Sequence, residues 1–274
     1  RGESLQSEDQ RDEDGAEELE THRDGKQRGE DRGAQVVLHA RCGQAESVVP
    51  AAMPVTAKPV AIKPSTTALN LPGFIDLNAF HSYVASWKGL GLCNTATHAV
   101  TGEGVTAPQI MIVSEAPDDS EDRSGKAFSG PAHLLIRQAL AAAGFDMDHV
   151  YMTYLSKWRP PGQRALGKHE MAALSALLQE EIRLVRPKAL LALGESTARA
   201  IGGDSLPATG LSGKIFNIKN QWDSKNMPFL GSQKAETLLK TPSMKKAFWF
   251  SLLSCTATLR AQAAPHNMES SATS

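Results

Sequence analysis

Apolar and polar positions recur along this chain with two different periods, and the switch between them predicts strands separated by helices. Short, mostly apolar segments at 110–113, 150–155 and 189–193 predict buried strands, with further strand candidates at 214–218 and 227–230. Helical spacing of apolar residues predicts helices at 77–87, 134–143, 170–185, 195–201 and 242–259. Strands that alternate with helices predict an α/β fold of three αβα layers around a parallel sheet of about four to five strands.

The first 72 residues lack this pattern. Residues 1–34 consist mainly of charged and small polar side chains, which cannot bury enough surface to offset the entropy cost of ordering. Residues 35–72 are rich in Pro, Ala and Val, as expected of an extended linker. We therefore predict a disordered charged tail and Pro/Ala-rich linker over 1–72, a folded domain over 73–262 and a frayed C-terminal end over 263–274.

Charge and cysteine content restrict the classes of function. The net charge is -1, from 29 basic and 30 acidic residues, so the whole chain lacks the basic surplus of many nucleic-acid binders, although an acidic tail can mask a basic domain. No apolar run approaches the roughly 18 residues that cross a bilayer, and no secretion signal pattern appears. The three cysteines, Cys42, Cys93 and Cys255, are far apart and odd in number, which argues for a reducing compartment. We expect a cytoplasmic monomer that does not bind membranes.

The candidate functional residues lie mainly in the loops that follow two of the predicted strands. The strand at 110–113 is followed by Ser-Glu-Ala-Pro-Asp at 114–118, an acidic pair, and Ala-Phe-Ser-Gly at 127–130. The strand at 150–155 is followed by Lys-Trp-Arg-Pro-Pro-Gly-Gln-Arg at 157–164. Sites in open α/β sheets form at strand ends, so these loops are the candidate site. An unrelated nucleotide-binding domain is disfavoured, because no glycine-rich phosphate loop follows a strand.

In order and spacing, these motifs resemble those of the uracil-DNA glycosylase superfamily, in particular its family-4 type, over residues 80–253. The resemblance implies the glycosylase fold and hydrolysis of the N-glycosidic bond of uracil in single- or double-stranded DNA, as in base-excision repair. It also implies that Glu115 is the catalytic-loop carboxylate, flanked by Ala116 and Pro117, and that Phe128 stacks on the base. Such excision requires the nucleotide to leave the base stack and enter a pocket.

Several positions depart from the family pattern, among them Ser114, which replaces a glycine. Tyr154 replaces an asparagine that reads the uracil edge, and a single hydroxyl on a bulky ring cannot reproduce that contact and can fill the pocket. Lys234 replaces the histidine that contacts the departing base's oxygen, so it is either a substitute donor or an exposed loop lysine. Asp118 replaces a glycine and adds negative charge near the phosphate path. We predict weakened or lost excision; the alternative is a non-catalytic nucleic-acid-binding or structural module that keeps the glycosylase fold.

The second motif also bears on DNA contacts and on a cofactor. Family-4 members usually hold an iron–sulfur cluster through four cysteines. Trp158 and Leu174 stand at two of those positions, and Cys93 is alone near the other two, so we predict no cofactor and no metal. We expect the two apolar side chains to pack together instead. Three basic side chains of the motif either contact the DNA backbone or form salt bridges in a solvated turn: they are Lys157, Arg159 and Arg164.

Overall fold

The computed structural model of this chain describes residues 56–61, 69–203, 206, 210–211, 213–220, 222 and 225–263. The described residues belong to one structural unit. The predicted tail lies outside the described ranges, as do most of the predicted linker and all but the first residue of the predicted frayed end. No helix among the described residues is both long and apolar enough to cross a membrane.

The described unit is built on a sheet whose strands are β1 (Thr56–Ala61), β2 (Glu103–Gly104), β3 (Ile110–Ser114), β4 (Val150–Tyr154), β5 (Leu190–Leu193), β6 (Ile215–Lys219) and β7 (Asn226–Ser232). In the described part of the chain they form one seven-stranded sheet of order β1-β6-β7-β5-β3-β4-β2. The neighbouring strands β4, β3, β5 and β7 are parallel. This parallel centre confirms the predicted α/β fold.

The outer strands extend the sheet beyond the sequence prediction and make it mixed. β6 runs antiparallel to β7, and β2 runs antiparallel to β4. β6 and β7 are joined by a short connection, which favours antiparallel pairing because parallel neighbours need a long crossover. β1 lies inside the predicted linker and pairs in parallel with β6 at the sheet edge. Pro59 lies in β1, and an edge strand tolerates a residue that has no backbone N–H.

Helices cover both faces of the sheet, and their bounds are α1 (Leu77–Ser86), α2 (Asp119–Ser124), α3 (Pro131–Ala142), α4 (Lys168–Val185), α5 (Glu195–Gly202), α6 (Ala235–Lys240) and α7 (Pro242–Ala263). One core cluster joins α1, α4 and α5 to the sheet, and a second joins α3, α6 and α7 to it. In β3, Met111 and Val113 belong to the first cluster, whereas Ile110 and Ile112 belong to the second. This alternation follows from the two-residue period of a strand, and it gives the three predicted layers.

The four parallel strands end at the same edge of the sheet. Ser114 at the end of β3 pairs in register with Tyr154 at the end of β4. Leu193 at the end of β5 pairs likewise with Ser232 at the end of β7. Because the carboxyl ends of parallel strands meet at one edge, the loops that follow them converge there, and this edge is where α/β sheets place their sites.

Candidate active site

A cleft of about 230 Å³ lies at the carboxyl ends of these strands. It is formed by the loop after β3, the turn after β4 and the start of α6. Of the residues that the sequence predicts for the site, the cleft brings together five: Glu115, Ala116, Pro117, Arg164 and Lys234. The rest of the lining consists of Ser114, Asp118, Pro160, Gln163, Glu236 and Lys240.

An ion pair between Glu115 and Lys234 is the central feature of the cleft. Lys234 Nζ lies 2.5 Å from Glu115 Oε2, and the side chains are 48% and 14% exposed, so the ammonium lies on the solvent side of the carboxylate. Gly194 (φ 102°) leaves space for the pair, because a Cβ there would lie 3.0 Å from Lys234 Cγ. A side chain at this glycine would therefore press on the lysine stem in addition to straining the backbone.

The loop that carries Glu115 is held by backbone bonds and by a capped helix. The N–H groups of Leu155 and Ser156 donate to the carbonyls of Ser114 and Glu115, at 2.8 and 2.9 Å. Asp118 is the N-cap of α2 and accepts a hydrogen bond from the Glu121 N–H at 2.8 Å. The charge that Asp118 adds to the cleft is thus also a helix-capping group, which favours the short helix that follows Glu115.

A buried polar network supports this loop from behind. Glu121 is fully buried and accepts hydrogen bonds from the N–H groups of Asp118 and Gly130, at 2.9 and 3.0 Å. Its carboxylate also bonds His133 Nδ1 at 2.8 Å, and His133 Nε2 lies 2.9 Å from Ser114 Oγ. A carboxylate only accepts, so Nδ1 donates to it. His133 is therefore a core histidine whose two ring nitrogens both have hydrogen-bond partners.

We expect Glu121→Gln to lower the free energy of unfolding by about 1–3 kcal/mol at neutral pH, because an amide NH₂ group would face the Asp118 N–H. Burial alone raises the pKa of Glu121, but the bonds from His133 and the backbone outweigh burial and hold that pKa below 4.5. A lowered folded-state pKa stabilises the protein above the unfolded pKa, and this stabilisation is lost as the pH falls through the folded value.

Denaturant unfolding at a series of pH values measures this difference between the wild type and the Gln variant. The gap should be full at pH 7 and should shrink below pH 4.5, the ordinary value for this carboxyl group. Asp119→Asn is the matched control on the same helix, with a side chain 52% exposed, and surface changes of this kind cost under about 0.5 kcal/mol. A gap that stays constant down to about pH 3 would contradict a role for the Glu121 charge.

The two aromatic residues predicted to bind the base do not line the cleft. Phe128 and Tyr154 are both fully buried, with ring centroids 5.1 Å apart. The His133 ring also packs against the Phe128 ring, with centroids 4.5 Å apart. The Phe128 N–H donates to the Tyr154 hydroxyl at 2.8 Å. Burial and the Glu121 carboxylate raise the pKa of Tyr154, so its phenol stays protonated. Tyr154 thus covers Phe128 in place of a ligand.

Phe128 has a strained backbone, with φ at 53°. Bulky residues rarely adopt positive φ, and such strain persists only where the surroundings enforce it. Besides the bond from its N–H to Tyr154, its carbonyl accepts a hydrogen bond from Arg137 Nε at 3.1 Å. The Phe128 backbone is therefore fixed on both sides by side chains.

The three basic residues predicted to contact DNA lie in different environments. Lys157 is fully buried and pairs with Glu181 at 2.5 Å, so the prediction of a phosphate contact is corrected: its ammonium is enclosed in the core. Arg159 bonds Asp122, whose carboxylate is buried, at 3.1 Å. Arg164 alone of the three lines the cleft, where it is half-exposed and forms a bidentate pair with Glu170. All three side chains thus form salt bridges, Arg159 and Arg164 in the turn and Lys157 in the core.

The positions that carry the cluster ligands in family-4 members do not fit an iron–sulfur cluster. Trp158 and Leu174 are buried in the same apolar cluster as Cys93. The Trp158 ring packs on Trp87 at 5.4 Å. Burial raises the pKa of the Cys93 thiol, whereas a ligand must be a thiolate. A cluster needs four such ligands, and no group of potential metal ligands occurs among the described residues. That the protein has no cofactor stays a prediction.

Sequence reasoning missed four contributors to the site: Gly194, Gln163, Glu236 and Lys240. Glu236 and Lys240 are four residues apart on α6, which places them on one helix face. In the sequence, this four-residue spacing directly after Lys234 was the feature that could have placed both side chains near the site. Gly194 directly follows the strand predicted at 189–193, which places it at the same sheet edge, but its contact with Lys234 depends on the pairing of β5 with β7.

Comparison with known proteins places the site in a family context. A family model described as the uracil DNA glycosylase superfamily matches residues 101–256. A Type-4 uracil-DNA glycosylase of Sulfurisphaera tokodaii is 31% identical over 168 residues, which cover 60% of this chain and 76% of that protein. A Type-4 uracil-DNA glycosylase of Pyrobaculum aerophilum is 34% identical over 127 residues, covering 46% of this chain and 65% of the relative. A DNA polymerase of Bacillus phage SP01 is 28% identical over 148 residues, or 15% of its length.

Proposed function

This chain belongs to the uracil-DNA glycosylase superfamily, and from that premise we propose that it binds DNA and excises uracil with strongly weakened activity. The proposal rests mainly on one observation. Glu115 lines a cleft at the strand ends, whereas the aromatic pair of Phe128 and Tyr154 is closed, because the two buried rings pack against each other. The Type-4 relatives support DNA as the partner and N-glycosidic hydrolysis as the reaction class.

Glu115 is the group proposed to act on the sugar. Its carboxylate lies at the sheet edge, 14% exposed, where it can position a water molecule and stabilise positive charge on the sugar as the base leaves. In the described structure the carboxylate is paired with the Lys234 ammonium. That pair has to open, or to accept the substrate between its members, before Glu115 can act, which supports a slow reaction.

Three carboxylates and three cations line the cleft, and the cations are the groups that suit a DNA backbone. These cationic side chains are Arg164, Lys234 and Lys240. Gln163, beside Arg164, adds an amide donor. Cations and amide donors of this kind bind phosphate oxygens, and such contacts position DNA without reading its sequence. We propose that the phosphates next to the target nucleotide bind along this rim.

The closed aromatic pair is the reason to expect weak excision. A flipped base needs a free aromatic face, and the Phe128 ring has Tyr154 and His133 against it. Uracil reaches Phe128 only after the Tyr154 ring has moved and its hydroxyl has released the Phe128 N–H. The same closed pair favours the alternative function, a non-catalytic module that binds nucleic acid and leaves uracil in place.

An excision assay on uracil-containing single- and double-stranded oligonucleotides tests the proposal. We expect slow release of uracil, which Glu115→Ala abolishes because the carboxylate at the reacting sugar is lost. Glu236→Ala is the matched control, since it removes another carboxylate that lines the same cleft. DNA binding without uracil release above background would instead establish the non-catalytic module, and release unaffected by Glu115→Ala would contradict the assignment of Glu115.

A further inference from the structure

Lys234 places a primary amine in the cleft at the solvent side of Glu115. We propose that this amine forms an imine with the C1′ aldehyde of an abasic deoxyribose in DNA, so that the protein captures abasic sites covalently and reversibly. This inference rests on the proposed function for one point, that DNA occupies the cleft. It assigns to Lys234 a covalent step, in addition to the two roles considered from the sequence, a substitute hydrogen-bond donor and an exposed loop lysine.

The geometry suits a lysine nucleophile. A lysine amine attacks a carbonyl carbon in its deprotonated form, and it must lie within reach of the substrate. Lys234 Nζ lies 2.5 Å from a Glu115 carboxylate oxygen, and about half of its side chain is exposed to the cleft. Gly194 leaves the lysine stem room beside the carboxylate. The amine, its proton acceptor and open space for a sugar are therefore adjacent.

The closed aromatic pair also points to an abasic nucleotide. Tyr154 covers the ring of Phe128, and both residues are fully buried. A flipped uracil would have to displace Tyr154 in order to stack on Phe128, whereas an abasic nucleotide has no base that needs this space. The filled pocket thus discriminates against a nucleotide that carries a base, whereas the cleft at Glu115 and Lys234 is open.

The reaction balances without an oxidant or a reductant. The Lys234 ammonium gives one proton to Glu115, and its nitrogen lone pair forms the bond to C1′ of the ring-opened sugar. The C1′ oxygen then leaves as water with two of the original ammonium protons, one returned by Glu115 and one transferred from the nitrogen. One ammonium and one aldehyde yield one protonated imine and one water, and hydrolysis reverses the step.

Borohydride trapping of the full-length protein on preformed abasic DNA tests this proposal, because the reagent reduces an imine to a stable amine. We expect a protein–DNA adduct on abasic oligonucleotides and none on a tetrahydrofuran analogue, which lacks the aldehyde. Lys234→Arg keeps the positive charge but cannot form the imine, and it should reduce the adduct at least tenfold. Lys188→Arg, the same change at an exposed lysine outside the cleft, should keep the adduct.

Peptide mapping of the adduct should place the modified amine at Lys234. An adduct of undiminished yield with Lys234→Arg, or one mapped to another lysine, would overturn the proposal. Absence of an adduct with the wild-type protein would overturn it as well. Uracil excision and binding of the tetrahydrofuran analogue are measured on the same preparation, so a failed imine with intact binding or excision leaves the proposed function standing.

Discussion

Uracil excision should rise by about three to five orders of magnitude when Tyr154→Asn and Lys234→His are combined. An amide at position 154 would supply a donor and an acceptor for the uracil edge, and leaving such groups unpaired costs about 1–3 kcal/mol. A preorganised donor at the departing oxygen lowers the barrier by about 2.7–4 kcal/mol. Each 1.36 kcal/mol corresponds to about a tenfold change in rate, which gives the expected range.

The structure gives this prediction a steric reason as well as a chemical one. Tyr154 is fully buried against Phe128. The smaller asparagine uncovers the aromatic face on which a base stacks. Replacing Lys234 also removes the ammonium that is paired with Glu115. Each single substitution should therefore raise the rate of excision less than the combination does. Tyr154→Asn alone leaves Glu115 paired with Lys234, and Lys234→His alone leaves Tyr154 in the pocket. The two effects need not be additive, because the residues belong to one site.

Single-turnover rates on a uracil-containing oligonucleotide measure the gain. Tyr154→Phe combined with Lys234→His is the matched control, because it keeps the ring in the pocket and lacks the amide. Its rate should stay far below that of the Asn combination. Rapid excision by the unmodified chain that Lys234→Ala abolishes would overturn this interpretation, since Lys234 would then serve as the catalytic donor.

Lys157→Met should lower the free energy of unfolding by about 3–5 kcal/mol, the largest stability effect that we expect from one substitution. Lys157 Nζ bonds Glu181 Oε2, Thr153 Oγ1 and the Tyr154 carbonyl, each at 2.5 Å. Both members of the ion pair are fully buried. Burial lowers the pKa of Lys157 and Glu181 opposes that shift. Without the lysine, Glu181 remains a buried carboxylate whose basic neighbour is the His81 ring, with Nε2 3.8 Å from Glu181 Oε1.

Denaturant unfolding at pH 7 measures the loss, and the double variant Lys157→Met with Glu181→Leu is its control. Removing both charges should restore much of the stability, because apolar groups of similar size can replace a buried ion pair at little cost. Tyr151, whose hydroxyl donates to Glu181 at 2.9 Å, loses that acceptor in the double variant, so some loss should remain. A single variant within about 1 kcal/mol of the wild type would show that Glu181 finds another partner or protonates easily.

The local pattern of the sequence determined the elements and the place of the site. The apolar segment that became β3 is followed at once by Glu115, and a residue that follows a parallel strand lies at the carboxyl edge of the sheet. Helical periodicity likewise predicted the five longer helices of the outer layers, α1, α3, α4, α5 and α7, but not the six-residue helices α2 and α6. These features depend on residues close together in the chain, so spacing and side-chain type are enough to predict them.

The tertiary structure decided which way the side chains of the loops face. Lys157 and Arg164 belong to one basic motif, yet Lys157 is enclosed by a carboxylate of α4 and Arg164 lines the cleft. In the sequence both are loop cations. The difference arises because Glu181, distant along the chain, lies fully buried within reach of Lys157 and compensates its charge. A buried charge is stable only where such a partner is brought to it by the fold.

The same reason applies to the pocket and to the sheet edge. Tyr154 was predicted as a residue able to fill the base pocket, but its closure over Phe128 depends on the meeting of the end of β4 with the loop before α3. β1 was not predicted, because a short segment with a proline becomes a strand only when β6 offers an unpaired edge. Local residue patterns determined the elements, whereas contacts between residues far apart in sequence determined which side chains are free to act.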